Sequence, residues 1–163
     1  MTGANPVDRA KPGCKWHLAV DGTGMVLSVL LGPANRPDQE LFEEVVGDIP
    51  MVATPTGGRR CRPERVHADK GYDERRCRAY LTRRGIKVRI ARKGVEPRDR
   101  LGRHRWKAER TIAWLDGCRR LRVRYERSSE RFWAFGLLAC CRLAFNRSTD
   151  RTTPQPSQPL LAW

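Results

Sequence analysis

The chain has 163 residues, which is enough for one domain with a hydrophobic core. It carries 33 lysines and arginines against 18 aspartates and glutamates, a formal net charge of +15. Self-repulsion of that size favours a polyanionic partner such as nucleic acid. Arginine enrichment from a GC-rich genome is the alternative explanation, and composition alone does not separate the two.

The sequence argues against a membrane, secreted or zinc-finger protein. It has no run of about 18 apolar residues, and Met1 to Pro12 lack the apolar segment of a secretory signal. The six cysteines have no C-x-x-C spacing, and no histidine pair follows them at zinc-finger spacing. We therefore expect a cytoplasmic, nucleoid-associated protein with reduced thiols and no membrane partner.

The first part of the chain predicts a β-hairpin. Residues 1–14 are polar with Gly and Pro, and we expect an irregular lead-in there. Alternating apolar residues at 16–20 and an apolar run at 25–31 predict two strands. The segment Asp21–Gly24 between them is a strong turn signal.

Strands alternate with helices after the hairpin. A short strand is predicted at 65–69, a helix follows from Asp73 to Gly85, and another strand is predicted at 86–90. Helices are predicted at about 103–117 and 129–146. The last of these is apolar nearly all round, so we expect it to be buried.

These elements predict one α/β domain over residues 15–147, with a mixed sheet flanked by helices. Residues 148–163 are rich in Ser, Thr, Pro and Gln, and we expect a disordered tail.

Two acids are candidates for a metal site. Asp69 stands at the carboxyl end of a predicted strand, where functional groups gather in α/β sheets. A loop acid that caps a turn is the alternative. Glu109 is predicted on or beside the apolar stripe of a helix, where a charge is costly unless it is paired or metal-bound. A salt bridge to Arg105 or Arg110 is the alternative for Glu109.

Such a carboxylate pair suits Mg²⁺ or Mn²⁺, and two ions of this kind can act together in phosphodiester cleavage. The basic segments of the chain could separately neutralise phosphates without reading base sequence, although a solvated surface is the alternative. The predicted DNA-binding residues are Arg59, Arg60, Lys70, Arg92, Lys93, Arg105, Arg110, Arg119 and Arg120. We interpret Trp106 and Trp114 as core residues rather than base-stacking groups.

Four segments, in order, resemble sequence blocks of insertion-sequence DDE transposases. Residues 66–73 resemble the block A-D-[KR]-G-Y-D, and residues 105–115 with 119–121 resemble the block R-W-x-x-E-R-T-x-A-W-L…R-R-L. Residues 15–24 and 32–38 resemble the two upstream blocks. The resemblance covers about residues 3–147 and is greatest to the branch typified by insertion sequence 5.

The resemblance implies an RNase H-like fold that cleaves DNA and transfers strands with two divalent ions. Asp69 would be the second catalytic acid and Glu109 the third. Transposon-end and target DNA would be the partners, and a homo-oligomer is compatible with the family.

The chain departs from the family at two places. The family's first catalytic Asp lies on a strand upstream of every matched block, so we expect that N-terminal strand to be missing; Asp21 is interpreted as a turn residue. Asp116 stands where the family has a DNA-contacting Lys.

The first departure suggests a downstream reading frame or a truncated form, inactive or weak alone, whose partner is the upstream reading-frame product. A non-catalytic basic DNA-binding module is the alternative function.

Overall fold

The computed structural model describes the backbone of residues 2–6, 9–54, 56–95, 98–149 and 161–162. Side chains are described for all of these except 98–105 and 161–162. None of the helices within these ranges is both long enough and apolar enough to cross a membrane.

The predicted hairpin is confirmed. Strands β2 (Pro12–Val20) and β3 (Val26–Pro33) pair antiparallel. In the turn between them, Asp21 Oδ1 accepts the backbone N–H groups of Thr23 at 2.8 Å and Met25 at 2.9 Å, as expected for a turn residue. Strand β1 (Gly3–Ala4) pairs with the start of β2, so the stretch predicted to be irregular contains regular pairing.

A parallel unit follows the hairpin. Strand β6 (Arg65–Ala68) pairs in parallel with β7 (Lys87–Ile90), and helix α2 (Arg75–Arg83) connects them. Between the two strand pairs, a separate small hairpin is formed by β4 (Val52–Ala53) and β5 (Arg59–Arg60).

Two residues join the hairpin to the parallel unit. Strand β8 (Leu161–Ala162) lies antiparallel to β2 at Val20 and parallel to β6, between them. It belongs to the segment predicted as a disordered tail; residues 150–160 and 163 of that segment lie outside the described ranges.

Helices cover both faces of this sheet, which confirms the mixed α/β class. One face packs against α1 (Phe42–Gly47) and α2, around Val46 and Leu81. The other face packs against three helices through Leu18, Leu115 and Phe132. These are α3 (Arg98–Asp116), α4 (Arg119–Arg122) and α5 (Ser129–Thr149).

Helix α5 is not buried all round, which corrects the prediction. Leu138 and Phe145 are 65% and 67% exposed, whereas Phe132 and Gly136 face the sheet. A Cβ on Gly136 would overlap the indole ring of Trp16, and that ring also packs against Phe132 at a centroid distance of 5.1 Å. The helix therefore approaches the sheet closely along one narrow stripe.

Asp73 fastens the turn after β6 to the end of β7. Its Oδ1 accepts from Arg78 Nη2 at 2.6 Å, and its Oδ2 accepts the backbone N–H of Lys93 at 2.8 Å. Arg78 Nη2 also donates to the carbonyl oxygen of Ile90 at 2.9 Å. The residue preceding α2 is Glu74, so Asp73 stabilises a junction of two strand ends and does not cap the helix as its position suggested.

We predict that Gly136→Ala destabilises the protein by about 1 kcal/mol in urea unfolding. Overpacking typically costs about 1–3 kcal/mol, and the higher helix propensity of Ala returns up to about 1 kcal/mol. In a Trp16→Leu background the overlap is removed, so the same substitution should be neutral or stabilising. Equal effects in both backgrounds would contradict close packing of α5 against Trp16.

We predict that Asp73→Asn lowers stability at pH 7 by about 1 kcal/mol, a value reduced for solvent screening. The Lys93 N–H and then the Arg78 guanidinium hold the pKa of Asp73 below its usual range. Because the pKa of Asp73 is lowered in the folded state, its ionised carboxylate stabilises the fold fully above the ordinary Asp pKa of about 4. This stabilisation is lost as the pH falls through the pKa of Asp73 in the folded protein.

The free energies of unfolding of the parent and of Asp73→Asn, measured from pH 7 down to pH 2, should therefore converge in acid. Asp116→Asn is the matched control, because the side chain of this acid is exposed and forms no hydrogen bond or ion pair with the described residues. A difference for Asp73→Asn that persists unchanged at low pH would contradict the assigned role.

Candidate active site

Asp69 lies where the sequence predicted it, directly after strand β6. Its backbone is extended, and its Oδ1 accepts the backbone N–H of Gly71 at 2.8 Å, so it also caps the short turn Lys70–Tyr72. Both interpretations of this acid, at a strand end and in a turn cap, therefore describe its position. Holding one carboxylate oxygen in the cap fixes the orientation of the side chain.

The alternation of β6 sets the face toward which Asp69 points. Val66 and Ala68 are buried in the core with α1 and α2. Successive side chains of an extended chain point to opposite faces, so Arg65, His67 and Asp69 lie on the other face, the one that α3 covers.

Tyr72 anchors the same turn. Its ring packs against Phe42 at a centroid distance of 5.4 Å. Burial raises the pKa of its phenol well above the usual range, with Asp38 and Asp69 adding to the rise, so the hydroxyl stays neutral. Tyr72 stabilises the turn that carries Asp69 and is not suited to act as a nucleophile.

Glu109 lies on an exposed flank of α3, not within its apolar stripe. The buried stripe of this helix consists of Ala108, Thr111 and Leu115. Glu109 is rotated by about 100° from Ala108 around the helix axis, and its side chain is exposed. The charge therefore remains near solvent.

Contacts of α3 orient its two flanks relative to the sheet. Ala108 packs against Val20, and Thr111 Oγ1 donates to the carbonyl oxygen of Gly24 at 2.8 Å. Arg110 follows Glu109 about 100° further around the helix axis, and its Nη2 donates to the carbonyl oxygen of Thr23 at 2.8 Å. The buried stripe and Arg110 thus contact the hairpin, while Glu109 lies on the exposed side of the helix.

The segments that carry the two acids are neighbours above one sheet face. Val20 pairs with Ala162, which pairs with His67, so one strand separates the part of β2 under α3 from β6. Two strand spacings correspond to about 10 Å. Helix α3 also contacts β6 directly.

Among the described residues, no group of three or more His, Cys, Asp or Glu side chains is placed to hold a metal ion. Two carboxylates nevertheless fit the donor chemistry of a hard divalent ion, because Mg²⁺ binds through few carboxylates and completes its shell with water or phosphate oxygens.

Most of the predicted DNA-binding residues are exposed. These are Arg59, Arg60, Arg92, Lys93, Arg119 and Arg120. Lys70 and Arg110 are half-buried, and the side chain of Arg105 lies outside the described part of the chain. Arg120 also bonds Glu126 at 2.6 Å and lies over the Phe135 ring, so it has a structural contact as well.

The interpretation of Trp106 and Trp114 as core residues is wrong. They are 45% and 37% exposed, and both rings contact the guanidinium of Arg110. The buried stripe runs through Ala108 and Thr111, so the tryptophans fall on the flank. Sequence reasoning also missed Arg147, whose guanidinium lies over Trp114; only its helical position opposite the tryptophans could have indicated it.

Comparison with known proteins identifies the family. The family model described as "Transposase DDE domain" matches residues 2–144. A Burkholderia cepacia protein, described as a putative transposase for insertion sequence element IS402, is 42% identical over 145 residues, which cover 89% of this chain and 69% of that protein. No solved structure matches the chain. The chain therefore belongs to the DDE transposases of insertion sequences.

Proposed function

We propose that this chain forms the RNase H-like catalytic part of the transposase, and that Asp69 and Glu109 together bind divalent metal for DNA cleavage and strand transfer. The observation that carries the proposal is the meeting of β6 and α3 on one sheet face, with an acid on each. The sheet supports the fold proposal, since an antiparallel hairpin adjoins a parallel β-α-β unit.

Each acid has a distinct means of being positioned. The Gly71 N–H fixes Asp69 at the end of a strand, and the Asp73 junction fastens that strand end to β7. Glu109 is on a helix that buried Thr111 locks to the hairpin. Rigid elements of this kind are what a catalytic site requires.

Mg²⁺ or Mn²⁺, as two ions in the complete enzyme, would polarise the phosphodiester and activate the attacking oxygen. Asp69 and Glu109 would hold the ions, and the surrounding basic residues would bind the DNA backbone. A water or a 3′-hydroxyl then attacks phosphorus in line with the leaving oxygen, without a covalent bond to the protein.

A longer strand carrying the remaining acid is proposed for the position between β2 and β6. Strand β2 has nine residues, whereas the described part of the chain fills this position with the two residues of β8. Ala19 and Ala68 beside it are buried, and a buried strand edge needs a pairing partner. The upstream reading-frame product is the proposed source of the strand; the homo-oligomer stays a prediction.

The metal proposal predicts that Asp69→Asn and Glu109→Gln each weaken Mn²⁺ binding at least about tenfold in calorimetric titration, because each removes a charged ligand. DNA affinity should stay equal or rise, since a repelling charge is lost. Asp69→Asn keeps an oxygen for the Gly71 N–H, so folding should be preserved.

Asp116→Asn is the control for Mn²⁺ binding, as an exposed acid at the end of the same helix as Glu109. Unchanged Mn²⁺ binding in both site variants, with DNA binding intact, would favour the non-catalytic DNA-binding module instead.

The strand proposal predicts little joining of transposon ends by the purified 163-residue chain. Joining should rise at least about tenfold when the polypeptide encoded directly upstream is co-expressed, because a third carboxylate would complete the metal site. The gain should disappear with Asp69→Asn. Robust Mg²⁺-dependent joining by the chain alone would contradict the proposal.

A further inference from the structure

A ladder of alternating aromatic and cationic side chains runs along one flank of α3. Trp106, Arg110 and Trp114 are one helical turn apart, and the Arg110 guanidinium carbon is 4.6 Å and 4.8 Å from the two ring centroids. Arg147 on α5 adds a second guanidinium 4.8 Å from the Trp114 ring. We call these four residues the Trp–Arg ladder.

The ladder carries two positive charges without a carboxylate partner among the described residues. Neither Arg110 nor Arg147 forms an ion pair there. Burial lowers the pKa of Arg147, and Arg110 lowers it further, while Asp21 raises it. The Oδ1 of Asp21 is already used by Thr23 and Met25 in the hairpin turn. The two guanidiniums therefore repel each other, and an external anion would offset that repulsion.

Donors remain for such an anion. Arg110 gives one N–H to the Thr23 carbonyl oxygen at 2.8 Å and its Nε is buried, which leaves about three of its N–H groups for an anion. Arg147 gives one N–H to Thr23 Oγ1 at 3.4 Å. A guanidinium has five N–H donors, so most of them are still available to phosphate oxygens.

The exposed indoles indicate which polyanion fits. Trp106 is 45% exposed and Trp114 is 37% exposed. An anion-binding surface alone would not need aromatic faces, whereas unpaired nucleotides present alternating bases and phosphates. Duplex DNA keeps its base faces stacked inside the helix, so it does not offer them to Trp106.

We propose that the Trp–Arg ladder binds unpaired nucleotides of DNA, with a base stacked on Trp106 and the phosphates bound by Arg110 and Arg147. The inference rests on the proposed function at one point, that the substrate is DNA. Glu109 immediately precedes Arg110 in α3 and lies about one helical turn from Trp106, so the ladder would hold single-stranded nucleotides next to the strand being cut.

Three labelled probes of equal length test the proposal by fluorescence anisotropy at fixed salt. They are single-stranded oligothymidine, an abasic strand with the same phosphates, and a blunt duplex. Trp106→Leu keeps apolar cover over Arg110 but removes the stacking face. It should weaken oligothymidine binding about tenfold, the usual scale of one base–aromatic stack, and leave abasic and duplex binding within about twofold.

Arginine variants separate the phosphate contact from general charge. Arg147→Ala should weaken oligothymidine and abasic binding several-fold. Arg131→Ala removes the same charge from the same helix, at an exposed position with no aromatic contact among the described residues, and should have a smaller effect. Trp106→Phe should retain most of the oligothymidine affinity, because it keeps an aromatic face.

Each failure has a separate signature. Suppose that the parent binds DNA, but Trp106→Leu changes the affinity for all three probes equally or for none of them. The ladder then has only a structural role, and the inference fails. If Trp106→Leu does not fold, the affinities of the parent protein provide the test. Equal affinity of the parent for the oligothymidine and abasic strands would overturn base stacking. If the parent binds none of the probes, the proposed DNA-binding function itself fails.

Discussion

The rotation of α3 about its own axis is the constraint on which the remaining arrangement depends. Buried Thr111 sets it, because its hydroxyl bonds both the Gly24 carbonyl oxygen of the hairpin turn and the Lys107 carbonyl oxygen of its own helix. Ala108 packs against Val20 on the same stripe. With that stripe fixed, helical geometry leaves Glu109 on one flank and Arg110 on the other.

The sheet imposes the matching constraint on the second acid. Because Val66 and Ala68 must lie in the core with α1 and α2, Asp69 has to face the side that α3 covers. Its turn is then held from three directions, by the Gly71 N–H, the buried Tyr72 ring and the Asp73 junction. Apolar packing and a backbone hydrogen bond therefore set the position of Asp69.

The parts of this structure that sequence predicted are those governed by local rules. The hairpin follows from alternation around Asp21–Gly24, and Asp69 at a strand end follows from a short apolar run and a turn signal. The rotation of α3 was not predictable, because Trp106, Ile112 and Trp114 are as apolar as the buried stripe, which contains the polar Thr111. Tertiary hydrogen bonding to the hairpin decided between the faces. Strand β8 was missed for a related reason, since pairing between distant segments leaves no periodic signal in two residues.

The position between β2 and β6 links these observations. Among the described residues, β8 is the strand that pairs with both the antiparallel and the parallel half, and both α3 and the core around α1 also contact the two halves. A longer strand there would pair with more of β2 and β6. It would fix the distance between the hairpin, which orients the helix of Glu109, and the strand that precedes Asp69, so that this distance would depend less on helix packing. Filling this position would therefore contribute geometry as well as a ligand to the proposed metal site, and a cleavage site assembled in this way would stay inactive until the strand is present.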